Sequence, residues 1–273
     1  MSPLRIGRGG LESSPRPAEL GRLKRRFART GCLKLPGFLS PPLLALLRRG
    51  LRKAPYVTVQ RPSGPERAVV AHWTLDLLAF LLNDPALLRV VEGLASSGRV
   101  GLCTSRKLYR LDGGVPSLKG WHRDLGPGRR AVLSVNLSPR PSPGGGIQSR
   151  RIDSARVLDE VRTDPGDAAL ISADPRFAHQ VTDVRGRGFR LAFGISFQAG
   201  TPYRRLARPL GGFLPFPGRF RPPAGAACWR DGRRLLLLDA AGGAVHLGEL
   251  DEARGRFREL ELPATGLARP GIG

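Results

Sequence analysis

The sequence predicts a mainly β fold: a sandwich or barrel of short strands, with supporting helices before it and a β-meander after it. Three observations carry this. Between Val100 and Gln198, short strand-like runs recur with Pro, Gly and Asp punctuating them, the texture of an antiparallel two-sheet fold. Upstream, leucines fall at helical spacing behind helix-start signals. No strand–helix alternation runs through the chain, so a doubly wound parallel sheet is excluded.

Taken in order, residues 1–18 are rich in Gly, Ser, Pro and Arg without periodicity and are expected to be a disordered tail. Residues 19–29 form a basic helix stopped by Gly31. Leu33–Leu39 gives a short strand and turn. Ser40 is placed as the N-cap of a helix whose first turn takes Pro41 and Pro42, with Leu43, Leu44, Leu46 and Leu47 as its apolar face. Residues 54–71 are expected to be irregular, with a strand at Tyr56–Val59. Leu75–Leu82 and Pro85–Ala95 are two further helices, separated by Asn83-Asp84. The strand runs are Val100–Leu111, Ala131–Leu137, Gly146–Gln148, Ala168–Ile171, His179–Val184 and Phe189–Gln198. Pro209–Gly225 reads as a linker or strap. Ala226–Arg230, Arg233–Asp239, Ala244–Leu250 and Arg256–Leu262 form the meander, with turn signals at Asp231-Gly232 and Gly242-Gly243 and a loose tail after Pro263.

The 273 residues are long enough to bury a sizeable core. The formal charge is +23, yet only five of the 45 basic residues are Lys. Scattered Arg without interleaved aromatics points to composition rather than to a nucleic-acid platform. Cys32, Cys103 and Cys228 are isolated, which argues against a disulfide framework or zinc site and fits a reducing compartment. No run has the length of a membrane span or the form of a signal peptide. A cytoplasmic protein with no membrane partner is therefore expected. Phosphate-loop and nucleophile-elbow motifs are absent, and the acidic pairs Asp159-Glu160 and Asp251-Glu252 read as solvated.

The chemistry concentrates in Trp121-His122-Arg123-Asp124. On the end of a strand, His122 and Asp124 face the same way and Arg123 the other. One imidazole and one carboxylate are two-thirds of a facial triad for non-haem iron. Of the remaining histidines, His72 reads as structural and His246 as a surface strand residue. His179 follows His122 by 57 residues (179 − 122). In a two-sheet fold that separation can return the chain to the opposite sheet, facing the first ligand. Arg190 follows after 11 more (190 − 179).

This ordered set resembles the Fe(II)/2-oxoglutarate-dependent dioxygenases, closest in flavour to the phytanoyl-CoA-hydroxylase and prolyl-hydroxylase-like branches. Supporting stretches are Leu33–Leu51, Arg110–Gly114, Gly120–Asp124, Gly144–Gln148 and Asp164–Ile171. The resemblance covers roughly residues 30–200. It implies a double-stranded β-helix, or jelly roll, with His122, Asp124 and His179 holding Fe(II). It implies 2-oxoglutarate as co-substrate, its far carboxylate on Arg190, with Tyr109 and Asn136 as further cavity residues. O2 is consumed, and succinate and CO2 are released. Halogenating relatives lack the carboxylate, so Asp124 favours hydroxylation. Many relatives have Ser or Thr two residues after the Arg, where this chain has Ala192.

The expected organisation is a tail at 1–18, the oxygenase domain at 19–205, and a linker with meander at 206–273. Residues 216–250 faintly resemble the opening hairpin of PqqD-like peptide-binding modules, without the helices that complete one. The expected substrate is a small molecule or a peptide- or carrier-bound amino acid, with an acidic peptide or carrier protein as a possible partner. The alternative is a catalytically silent jelly-roll binding protein that recognises an acidic peptide or nucleic acid through its basic surface. It predicts steeply salt-dependent binding.

Overall fold

The computed structural model describes residues 3–199, apart from 8–9, 62–63, 70–71, 83, 96–97 and 116–119, together with the strands between 208 and 261. The turns at Gly232 and Gly242-Gly243, residues 216–226 and the tail after Pro263 lie outside the described residues.

The helices form for local reasons. In α1 (Pro17–Thr30), proline occupies the first turn and Gly31 closes the helix in the left-handed region, its N–H bonded to the Phe27 carbonyl at 2.8 Å. A Cβ on Gly31 would lie 2.6 Å from the Phe177 ring, so glycine is required twice over. α2 (Pro41–Leu51) buries Leu43, Leu47 and Leu51, one residue per turn. Ser40 stands at its N-cap, but the side chain makes no capping bond and its Oγ is buried. Proline in the first turn had already removed donors that a cap would serve. α3 (Trp73–Leu82) is followed by α4 (Pro85–Ala95), whose start is capped by Asp84 Oδ1 accepting from the Ala86 N–H at 2.7 Å.

The N-terminal tail is ordered, contrary to expectation. β1 (Arg5–Gly7) and β2 (Gly10–Ser13) form a hairpin, and Leu4 and Ile6 are fully buried. Ile6 donates its N–H to the Phe38 carbonyl and accepts from the Ser40 N–H. Two apolar residues at strand spacing outweigh the surrounding Gly and Pro.

A seven-stranded antiparallel sheet has the order β3-β10-β7-β12-β6-β5-β4. Its members are β3 (Cys32–Leu35), β4 (Val57–Arg61), β5 (Gly64–Val69), β6 (Val100–Asp112), β7 (Arg129–Asn136), β10 (Ala168–Ser172) and β12 (Phe189–Ala199). Residues 54–71, expected to be irregular, thus supply the β4–β5 hairpin. A second sheet, β11-β8-β9, comprises β8 (Ile147–Arg151), β9 (Val157–Val161) and β11 (Phe177–Val181). The strand β9 was not foreseen. Its Asp159 pairs with Arg26 at 2.9 Å and its Glu160 accepts from Gln148 at 2.8 Å, so the acidic pair ties strands together.

From β6 onward the chain passes repeatedly between the two sheets, which is jelly-roll topology. Strand alternation divides the large sheet into two faces. Leu191, Phe193, Ile195 and Phe197 of β12, with Leu133 and Val135 of β7, join the helices in one large core. The other face meets the small sheet through Cys32, Ile147, Val161, Ala169 and Ile171.

β14 (Ala227–Asp231), β15 (Arg234–Leu238), β16 (Val245–Asp251) and β17 (Arg256–Glu261) form the expected meander. The start of the expected linker is instead a strand, β13 (Arg208–Pro215), paired with β17.

Candidate metal centre

His122 and Asp124 do not lie on a strand. Their segment makes a single antiparallel bridge, His122 to His179, at the free edge of β11. The two residues exchange both backbone hydrogen bonds, each 2.9 Å. The two histidines therefore share one sheet edge rather than facing each other across the fold, and the segment fills the place of a missing strand. Cross-strand neighbours bring their side chains together: the ring centroids are 4.3 Å apart.

Asp124 completes the group. Its Oδ2 lies 3.3 Å from His179 Nε2, and one ligand atom from each of His122, Asp124 and His179 falls within 4.8 Å of the others. His122 Nδ1 is 2.8 Å from the Gly120 carbonyl, which fixes that nitrogen as the donor and assigns Nε2 to coordination. Burial pushes the Asp124 carboxyl up. The His179 hydrogen bond and the charges of His179, His122 and Arg129 outweigh it and hold the group down at about 2. The carboxylate is therefore ionised and ready to bind a cation.

Two arginines hold the segment in place. Arg129 Nη1 donates to the Asp124 carbonyl at 3.1 Å, and the Arg150 guanidinium stacks on Trp121 at 4.5 Å. Neither could be singled out in so Arg-rich a sequence.

Arg190 lies on the inner face of β12, 2% exposed. Burial lowers its guanidinium to about 10. Among the described residues its partner is Thr163 Oγ1, at 3.3 Å from Nη2, and its Nε is buried without an acceptor. Gly145 makes this possible: a Cβ there would lie 2.7 Å from Arg190 Cδ, and its φ is +67°. A buried cation without an anionic partner costs several kcal/mol.

Tyr109 sits on β6 opposite Ala192 and faces inward, its ring over Gly194. Asn136 sits on β7, also opposite Ala192. Its amide nitrogen donates to the Thr163 carbonyl at 2.6 Å and its oxygen accepts from the Ser138 N–H at 2.9 Å. That side chain braces the turn into β10 and thereby positions Thr163 beside Arg190. Asp167 does similar work, accepting from the Gly37 N–H at 2.7 Å and pairing with Lys34 at 3.0 Å. His72 bonds Thr74 at the start of α3, a structural role. The side chain of His246 lies outside the described residues.

No family model and no curated protein matches the chain. Solved structures do. The non-heme alpha ketoglutarate dependent epimerase SnoN from nogalamycin biosynthesis is 20% identical, covering 67% of this chain and 82% of its own, with a TM-score of 0.50. An oxidoreductase of the 2OG-Fe(II) oxygenase family from Burkholderia pseudomallei is 14% identical, covering 72% and 97%, with a TM-score of 0.51. A prolyl hydroxylase from Trichoplax adhaerens, in complex with a hypoxia inducible factor peptide fragment, is 14% identical, covering 67% and 93%, also at 0.51. At these identities the likeness is one of fold. By the path of its strands and by these likenesses, the chain has a jelly-roll fold similar to those of these solved structures.

Proposed function

We propose that this protein is an Fe(II)- and 2-oxoglutarate-dependent oxygenase that hydroxylates a small molecule or a peptide- or carrier-bound amino acid. The observation that carries the reading is the pairing of two features in one barrel. One is a His, Asp, His group of metal-binding size. The other is a buried guanidinium with no carboxylate of its own among the described residues. The donor set fits iron: two neutral imidazoles and one carboxylate on one face leave further positions open. Bound together, iron and 2-oxoglutarate would supply the oxidising power of O2, with succinate and CO2 as co-products.

The chain's own residues bind and orient. His122 offers Nε2 because Nδ1 keeps its proton and donates it in a hydrogen bond to the Gly120 carbonyl. His179 Nε2 and Asp124 Oδ2, now in contact, would hold the metal ion together with His122. Arg190 receives the far carboxylate of 2-oxoglutarate through its planar donors. Burial keeps water from competing. Tyr109 presents its ring on the same inner face, one cross-strand row from Arg190, and supplies a hydroxyl where Ala192 cannot. Asn136 acts through Thr163 on the guanidinium.

The test is anaerobic. Fe(II) and then 2-oxoglutarate are added to the purified protein, and the visible metal-to-ligand charge-transfer band is recorded. The expected result is a band in the wild type, loss of it in His179→Ala, and a requirement for more co-substrate in Arg190→Ala. A well-folded wild type without a band overturns the reading and transfers weight to salt-dependent binding of an acidic partner.

A further inference from the structure

The inner face of the large sheet carries a second buried cation, Lys107. It is 9% exposed and has no ion-pair or hydrogen-bond partner among the described residues. Its direction follows from register. Lys107 lies opposite Gly194, Gly194 opposite Ser134, and Ser134 opposite Ala169. Directly paired residues project on the same side of a sheet. Lys107 therefore shares the face of Ala169, which belongs to the inner core, while its neighbour Leu108 lies opposite Phe193 in the outer one. The other three members of the row are small, and the Tyr109 ring lies over Gly194.

The row also has a defined depth. Arg190 lies against Gly145 at one end of β12. Gln198, at the other end, pairs with Arg129, the residue that holds Asp124. Gly194 is midway, about 13 Å along the strand from either. Immediately beyond Lys107, the pairing of β6 with β12 slips, from Gly194↔Lys107 to Ser196↔Thr104. Bulges of this kind re-aim side chains beside active sites.

Charge balance then names the ligand. In the reading above, on which this inference rests, one carboxylate of 2-oxoglutarate goes to Arg190 and the other to the metal ion. Both co-substrate charges are then met without Lys107, and Glu66, on the same face, lies four positions away in the opposite direction along the sheet, in the row of Leu111 and Arg190. A largely buried lysine with no carboxylate beside it among the described residues calls for a third anionic group. We propose that Lys107 receives a carboxylate of the molecule that is oxidised, so that the substrate is a carboxylic acid anchored beside the metal.

Calorimetry on the anaerobic Fe(II)/2-oxoglutarate complex tests this with hexanoate, phenylacetate and N-acetylglycine against their primary amides. The wild type is expected to bind at least one acid ten-fold or more tightly than its amide. Lys107→Met should erase that preference and leave amide binding unchanged, and Lys107→Arg should restore part of it. The charge-transfer titration should give Lys107→Met the wild-type affinity for 2-oxoglutarate. The proposal is overturned if no acid exceeds its amide in the wild type, or if Lys107→Met keeps the preference. It is also overturned if Lys107→Met weakens 2-oxoglutarate and 2-oxopentanoate alike, because the lysine would then serve the co-substrate. A wild type without the charge-transfer band overturns the iron reading as well, whereas a normal band without acid preference overturns this inference alone.

Discussion

The two faces of the seven-stranded sheet are made from the same strands and do opposite work. On β12, Leu191, Phe193, Ile195 and Phe197 pack among the helices, apolar against apolar. Alternate residues of the same strand are Arg190, Ala192, Gly194 and Ser196, and they look toward the small sheet. The outer face gains stability from every side chain. The inner face gives some back by burying Arg190 without a carboxylate partner among the described residues. A single strand can thus hold its site rigid with one set of side chains and keep the other set ready for ligand.

That contrast can be broken most sharply at the metal group. His179→Ala should abolish the charge-transfer band, an effect of a hundred-fold or more on iron affinity, while thermal unfolding of the apo-protein changes little. A large loss of apo stability would instead make His179 a core residue. The outer-face counterpart is Phe193→Ala, expected to cost about 3–5 kcal/mol in denaturant unfolding. A loss under 1 kcal/mol would mean the face is less tightly packed than its burial implies.

Arg190→Met should move the two properties in opposite directions. Removing an uncompensated buried charge should stabilise the apo-protein by about 1–3 kcal/mol, while the 2-oxoglutarate concentration for half-saturation rises ten-fold or more. A fall in melting temperature would sink the idea that this face sacrifices stability for binding. Gly145→Ala is a gentler probe. Its Cβ would crowd Arg190 and its φ is positive, so about 1–2 kcal/mol of stability and a several-fold loss of co-substrate affinity are expected. The smallest effect concerns Cys32, in the core between the sheets. Burial pushes its thiol up to about 12. The thiolate is therefore negligible below that pH, and peptide-resolved labelling at pH 8 should find it unreactive until the protein unfolds.

Much of the fold was legible because its signals are local. The leucines of α2, the Asp84-Pro85 start of α4 and the alternation along β12 each depend on residues a few positions apart. The order of His122, Asp124, His179 and Arg190 was legible for the same reason, as a pattern along the chain. The strand at Arg5–Gly7 was hidden because its burial comes from distant Phe38 and Ser40. β9 was hidden because its acidic residues find distant partners on β8 and α1.

What the sequence determined by itself was the helices, most strands of the large sheet and the types of side chain available to a metal. The tertiary structure alone decided where those side chains sit. It hung the His122 segment on the edge of β11, and among the described residues it buried Arg190 and Lys107. The reason is physical. Periodicity is a property of one strand, but the burial of a charge depends on which strand lies opposite, and only folding brings the two together.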